Sequence, residues 1–350
     1  MSGAGEDAAL LLPPPQGMLL VQTIDYFRSF ISDPYLLGRV AAVHALSDLH
    51  AMNAEPVSAL ALCVLPYGPE AVVEADLTQL LAGVLAALKE ERCALVGGHT
   101  SEGAELAVGL AAHGVASPST VLRKGPPRAG DLLVLTKALG TGVLLAADMR
   151  ARAPGKAVEG CLASMLQSNG GAAQILGRMG GCSACTDVTG FGLLGHLLEM
   201  LRYEGEGGGE GGGEGERGGE GEGEGEVGVG AVLQLSSLPL LDGAALCLEQ
   251  GLASSLQPDN LRSARAVANP PLKGEGGAAA YDPRFLALFD PQTSGGLLCA
   301  VRPEGAQGLL LSLKEQGYSH AAIIGRVVKR EGEGEGEAGW EEDHLVRLEP

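Results

Sequence analysis

Four aspartates stand at the ends of apolar or small-residue segments: Asp7 after Gly5 and Glu6, Asp25 closing MLLVQTID, Asp48 in a run of small residues, and Asp187 in ACTDVTGFG. Singly, each reads as a cap, a turn former or a surface acid. Jointly they read differently, because converging carboxylates repel one another unless a cation intervenes. Mg²⁺ is the ion that combines carboxylates with phosphate oxygens. Glycine-rich strings accompany the acids: VGGHT at 96–100, LGTGVL at 139–144 and TSGG at 293–296. Glycine lets backbone N–H groups approach an anion with no side chain in the way, most effectively where a helix starts. Taken alone, each string reads first as a tight structural turn. The chain contains no GxxxxGK[ST] and no GxGxxG followed by a helix and a later acid, so neither common phosphate-binding architecture applies. The residues point to phosphate chemistry on another scaffold.

That scaffold is readable in outline. Hydrophobic patterning predicts strands at 18–25, 56–65, 93–97 and 105–115, with helices at 35–52 and 70–91, an alternation typical of α/β or α+β architecture. RKGPPRAGD, beginning at Arg123, interrupts the pattern before LLVLTK resumes it. The expected division is therefore an N-terminal domain at 1–122, a hinge at 123–130 and a C-terminal α/β domain at 131–330. Helices are expected there at 141–150, 158–178 and 191–203, then mixed strands and helices over 231–326. Residues 204–228 are almost entirely Gly and Glu. Such a stretch cannot bury enough apolar area to offset its ordering entropy, so a disordered insertion is expected, with a similar acidic segment and tail at 331–350.

A length of 350 residues favours two domains over one. Much of the formal charge of −19 sits in nine Glu against one Arg between Glu204 and Glu226, and in Glu331, Glu333, Glu335 and Glu337. It describes solvated linkers rather than a surface for a basic partner. No Lys/Arg cluster suited to nucleic acid is evident, and charged or small residues break every apolar stretch before a membrane span is reached. Seven cysteines without regular spacing suit a reducing compartment, and a cytoplasmic location is expected. The single CxxC, Cys182 with Cys185, lacks the second pair of a structural zinc site and is read as small strand residues.

QTIDYF, DPYLLGRVAAVHALSDLHAM, GGHTSEGAELAVGLAAHG, LTKALGTGVL, TDVTGFGLLGHLLEM, SSLQPDNLRSA and FDPQTSGGLL follow one another along the chain. In order and approximate spacing the set resembles the selenophosphate synthetases (selenide, water dikinases). The most discriminating strings are TDVTGFGLLGH at 186–196 and DPQTSGGLL at 290–298. Thiamine-monophosphate kinase and aminoimidazole ribonucleotide synthetase share the scattered aspartates without both strings. The resemblance implies the two-domain aminoimidazole ribonucleotide synthetase type of fold, with N-terminal sheets pairing into a barrel in a homodimer. It implies that ATP, selenide and water become selenophosphate, AMP and phosphate, the selenium donor for selenocysteine and selenouridine. By motif, Asp7, Asp48 and Asp187 resemble Mg²⁺ ligands, and Thr23 and Asp25 resemble metal or phosphate contacts. Ala4, Gly5 and Glu6, with Gly98, His99 and Thr100, resemble nucleotide-binding backbone. Asn169 matches an Asn of the family.

Three positions depart from the pattern: His44 stands where the family usually has Asn, Ala138 replaces a common Pro, and only six residues precede Asp7. The family places a Gly-rich segment with Cys or selenocysteine and a Lys ahead of GEDAA. The resemblance therefore leaves the catalytic residue unassigned and implies that the chain as written binds ATP and Mg²⁺ with little turnover. An ATP-binding paralogue acting as a partner or regulator, and a related small-molecule kinase, are the alternative readings.

Overall fold

The structure is a computed structural model describing residues 8–203, 228–270, 272–273, 280–330 and 343–350. Ala4, Gly5, Glu6 and Asp7 lie outside the described residues, as do the acidic tracts 204–227 and 331–342 on which two disordered segments were expected.

In the N-terminal half the order is β1 (Leu19–Arg28), α1 (Pro34–Ala51), β2 (Glu55–Pro66), α2 (Glu70–Glu90), β3 (Ala94–Gly103) and β4 (Ala107–Ala116). The four strands form one sheet in the order β1-β4-β2-β3, with β2 parallel to β3 and the other neighbours antiparallel. Both helices pack on one face, burying Leu37, Leu46 and Leu49 of α1 and Leu80, Val84 and Leu88 of α2 against Ala59, Cys63, Val108 and Leu110. Asp33 starts α1 by accepting the Leu36 N–H at 3.0 Å, and Pro34 follows it in the first turn. Gly38 and Gly83 let the two helices touch backbone to backbone. A Cβ on Gly38 would lie 2.1 Å from the Leu80 carbonyl, and one on Gly83 would lie 2.0 Å from that of Tyr35. By length and composition α2 is apolar enough to cross a membrane, and its apolar residues Leu80, Val84 and Leu88 belong to this core.

α1 is apolar on nearly every side, which is the mark of a helix buried all round. One side meets the sheet. From the other, Val40 enters a cluster with Leu144, Leu241 and Ala287, and Ala51 enters one with Ala172 and Leu176. The helix is thus the seam between the halves.

The C-terminal half contains β5 (Leu132–Leu135), α3 (Thr141–Asp148), α4 (Gly155–Leu166), α5 (Gly170–Met179), β6 (Cys182–Asp187), α6 (Gly192–Leu201) and β7 (Val229–Gln234). It continues through α7 (Ala244–Glu249), α8 (Gln257–Asn260), β8 (Leu272–Lys273), β9 (Ala280–Tyr281), α9 (Pro283–Ala287), β10 (Leu297–Val301), α10 (Pro303–Glu315), β11 (Ala322–Lys329) and β12 (Val346–Glu349). Six strands form a sheet in the order β12-β7-β11-β5-β10-β6, antiparallel except for β12 on β7. β8 and β9 pair separately.

Two expectations change. The helix expected over 158–178 is two helices, because Asn169 turns its buried side chain into the seam and the Gln167 carbonyl accepts from the Lys137 ammonium at 2.5 Å. VGGHT is no turn after a strand: β3 runs through it to Gly103, paired with β2 from Ser58↔Ala94 to Pro66↔Gly103. Gly98 is required there, with φ +158° and space for a Cβ only 2.1 Å from the Ala61 carbonyl.

Candidate active site at the seam of the two halves

Strand alternation decides which residues of β1 reach the seam. Thr23, Asp25 and Phe27 are half-buried on the side facing α1, while Ile24 and Tyr26 are exposed on the other. The Thr23 hydroxyl donates to Asp48 Oδ2 at 2.5 Å. Nε2 of His44, one helical turn before Asp48, stands 3.8 Å from Asp25 Oδ2, and Phe27 meets the imidazole edge-on at a centroid distance of 5.3 Å. Across the seam β6 ends at Asp187, which is buried, and its Oδ2 has no hydrogen-bond partner among the described residues.

Each of these carboxylates feels the charge of another, although among the described residues no three of His, Cys, Asp or Glu are grouped closely enough to hold a metal ion by themselves. Burial, then Asp48, then Asp187 push the Asp25 carboxyl up to about 7. Burial followed by Asp48 also raises Asp187, against a hydrogen bond from Ser47 and the field of His196. Burial and mutual repulsion thus both act against ionisation of Asp25 and Asp187. Beside it, Asn169 donates to Ser47 Oγ at 2.9 Å and to the Gly295 carbonyl at 2.8 Å, leaving its own buried Oδ1 unpaired among the described residues.

The other glycine strings have different work. In TSGG the Thr293 N–H donates to Thr141 Oγ1 at 2.9 Å and the Ser294 N–H to His44 Nδ1 at 3.0 Å. Gln292 Oε1 accepts from the N–H groups of Gly140 and Thr141, at 3.0 and 3.2 Å. The N-terminus of α3 is therefore capped by a side chain and these TSGG donors are occupied; the anion-cradle reading of these two turns is corrected. They bind each other. Gly98, His99 and Thr100 are exposed on β3, at the sheet edge opposite β1. Asp25, Leu110, Ala61 and Gly98 follow one another across the sheet, so three strand spacings of about 4.8 Å separate Gly98 from Asp25 within one chain.

Lys137, Gln292 and Ser294 were not singled out in the sequence. Lys137 is buried and donates to the carbonyls of Ser294 and Gln167, and its burial, partly offset by Asp187, lowers it to about 7. A lysine closing the apolar strand LLVLTK is the one signal that marked it. Beyond Asp187, the VTGFG turn is held by Thr189 Oγ1 against His196 Nε2 at 3.2 Å, and by Asn260 Nδ2 on the Gly190 carbonyl at 2.9 Å. His196 in turn meets Glu199, which pairs with Lys124 at 2.8 Å. Cys63 and Cys93 sit in the core, where burial pushes their thiols up to about 11 and 12, far from nucleophilic thiolates.

Residues 5–116 match the family model described as AIR synthase related protein, N-terminal domain, and residues 128–208 match that of the C-terminal domain. Among solved structures, thiamine-monophosphate kinase from Stenotrophomonas maltophilia is similar with a TM-score of 0.66 at 19% identity, covering 99% of this chain and 90% of that one. E. coli HypE, a hydrogenase maturation protein, also superposes with a TM-score of 0.66, at 20% identity over 99% of this chain and 88% of its own. These likenesses establish the fold. The selenide, water dikinase of Geobacter metallireducens is 36% identical over 346 residues, 94% of this chain and 90% of the relative. That of Burkholderia pseudomallei is 34% identical over 309 residues, 88% and 78% respectively. With such identity over most of both chains, the protein belongs to the selenide, water dikinase family.

Proposed function

We propose that the chain converts ATP, selenide and water to selenophosphate, AMP and phosphate at the carboxylate cluster of the seam. The observation that carries this reading is the buried, unpaired Asp187 Oδ2, lying within the field of Asp48 and of an Asp25 whose own carboxyl is pushed up to about 7. Hard oxygen donors that repel one another fit Mg²⁺ and a polyphosphate. Asp25, Asp48 and Asp187 would hold the ion, joined by Asp7, with Thr23 orienting Asp48. When bound, Mg²⁺ supplies the positive charge that lets a polyphosphate lie against carboxylates. Ala4, Gly5 and Glu6 are proposed nucleotide contacts.

The division into an N-terminal ATP and dimerisation domain at 1–122 and a C-terminal domain from 131 onward, joined by 123–130, is part of the same proposal. So is a homodimer. The sheet face opposite the helices exposes Leu20, Ile24 and Tyr26 at 53, 67 and 49%, a hydrophobic strip on an edge strand of the kind that a second copy covers. Gly98, His99 and Thr100, remote from Asp25 in their own chain, are proposed to serve nucleotide across that pairing. ³¹P NMR with ATP, Mg²⁺ and anaerobic selenide tests the reaction and with it the low turnover expected of the chain as written: selenophosphate and AMP are the products that this reading requires, and ADP as the sole nucleotide product would sink it.

A further inference from the structure

The carboxylate cluster is assembled from two halves: Asp25 and Asp48 come from β1 and α1, Asp187 from β6. Its spacing is set by whatever ties α1 to the C-terminal half at this point. Beside the hydrogen bond from Ser47 to Asp187 itself, three others among the described residues do so. Asn169 Nδ2 reaches Ser47 Oγ at 2.9 Å, Ser294 Oγ reaches the Val40 carbonyl at 3.3 Å, and the Ser294 N–H reaches His44 Nδ1 at 3.0 Å. Ser294 is buried with φ +50°, a left-handed conformation that is unfavourable for a residue with a Cβ and persists only when its surroundings hold it. Lys137 holds its carbonyl at 3.0 Å, while His44 holds its N–H. The next residue locks the turn to the strand end. A Cβ on Gly295 would lie 2.1 Å from the Val188 carbonyl, and the Gly296 carbonyl accepts the Val188 N–H at 2.9 Å.

His44 meets the turn through Nδ1 and faces Asp25 with its other ring nitrogen. Because Nδ1 accepts a backbone N–H, the proton of the neutral ring is on Nε2, the nitrogen 3.8 Å from Asp25 Oδ2. Phe27 packs edge-on against the ring and limits its rotation. Resting on the proposed metal-dependent ATP site, we infer that His44 is a positioning residue: through Nδ1 it fixes the turn that holds the strand end carrying Asp187. An asparagine at this position, the residue that the family resemblance leads one to expect, offers an acceptor oxygen at the same branch point as Nδ1. His44→Asn is therefore the conservative variant and His44→Leu the disabling one.

The test measures the Mg²⁺ concentration that half-saturates ATP binding, by calorimetry on the full chain, for wild type and both variants, with ¹H–¹⁵N spectra of the histidine rings in the metal-free protein. Leucine is expected to raise the half-saturating Mg²⁺ about tenfold, the scale of one well-placed hydrogen bond. Asparagine is expected to stay within about threefold, and the His44 ring to show an unprotonated Nδ1. Leucine behaving as wild type, or both variants weakening equally, overturns the inference. A protonated Nδ1 overturns it even if the leucine variant does not fold. Wild-type ATP binding that ignores Mg²⁺ refutes the underlying site, a failure distinct from a Mg²⁺-dependent wild type with an indifferent His44→Leu.

Discussion

The Thr23 hydroxyl donates to the Asp48 carboxylate at 2.5 Å, tying an edge strand of the first sheet to the helix that forms the seam with the second half. A hydrogen bond to an ionised acceptor contributes about 1.5–3 kcal/mol. Thr23→Val is accordingly expected to raise the Mg²⁺ needed for ATP binding by about tenfold or more, with Thr23→Ser close to wild type. Calorimetry at graded Mg²⁺ decides it, and a valine variant that titrates normally would remove Thr23 from the site.

Gln292 joins two glycine strings by accepting from the N–H groups of Gly140 and Thr141 and from the Thr141 hydroxyl. Replacing it with Leu leaves buried donors without an acceptor and is expected to cost about 2–4 kcal/mol of stability, read from urea denaturation. ATP affinity of the folded variant should hardly change, since these turns bind each other. A stable variant with lost ATP affinity would restore the phosphate-cradle reading.

Gly98→Ala places a methyl 2.1 Å from the Ala61 carbonyl at a backbone φ of +158°. The expected loss is about 2–4 kcal/mol, because backbone of β2 and not a flexible side chain must yield. An unchanged denaturation midpoint would mean that β3 leaves β2 at this point.

The His196 hydrogen bond, and behind it the Lys124 ion pair, hold Glu199 down at about 2, with burial opposing them. Its folded value lies below its ordinary one, so the native state binds fewer protons than the unfolded chain between those values. The stabilisation is complete above about pH 4.5 and is lost as the pH falls toward 2. All three groups except His196 are partly solvated, and screening limits the contribution to about 0.5–1 kcal/mol. Glu199→Gln should therefore be less stable than wild type at pH 7, the gap closing at pH 4 and below. A gap that widens on acidification contradicts the assignment.

What the residues revealed in advance followed from local rules. The apolar periods placed α1 and α2 within a residue or two, since pattern length and capping by Asp33 are local facts. Asp25, Asp48 and Asp187 could be chosen as a set because mutually repelling acids at segment ends are chemically conspicuous. The break at Asn169 and the path of VGGHT were not readable, because both depend on partners distant in the chain: Ser47 and Gly295 for Asn169, the backbone of β2 for Gly98. For the same reason the roles of Lys137, Gln292 and Ser294 were not readable, although the last two lie in strings that stood out. Each acts through bonds that close only when the halves meet.

The central claim is a metal-dependent ATP site shared between the two halves, and titration of ATP into wild type and Asp187→Asn, each with Mg²⁺ and with EDTA, tests it most directly. The account predicts binding by wild type only when Mg²⁺ is present. It also predicts at least about a hundredfold loss in Asp187→Asn, the scale of removing a charged ligand from a buried cluster. Equal wild-type affinity in EDTA, or an Asp187→Asn variant that binds as tightly as wild type, would contradict it.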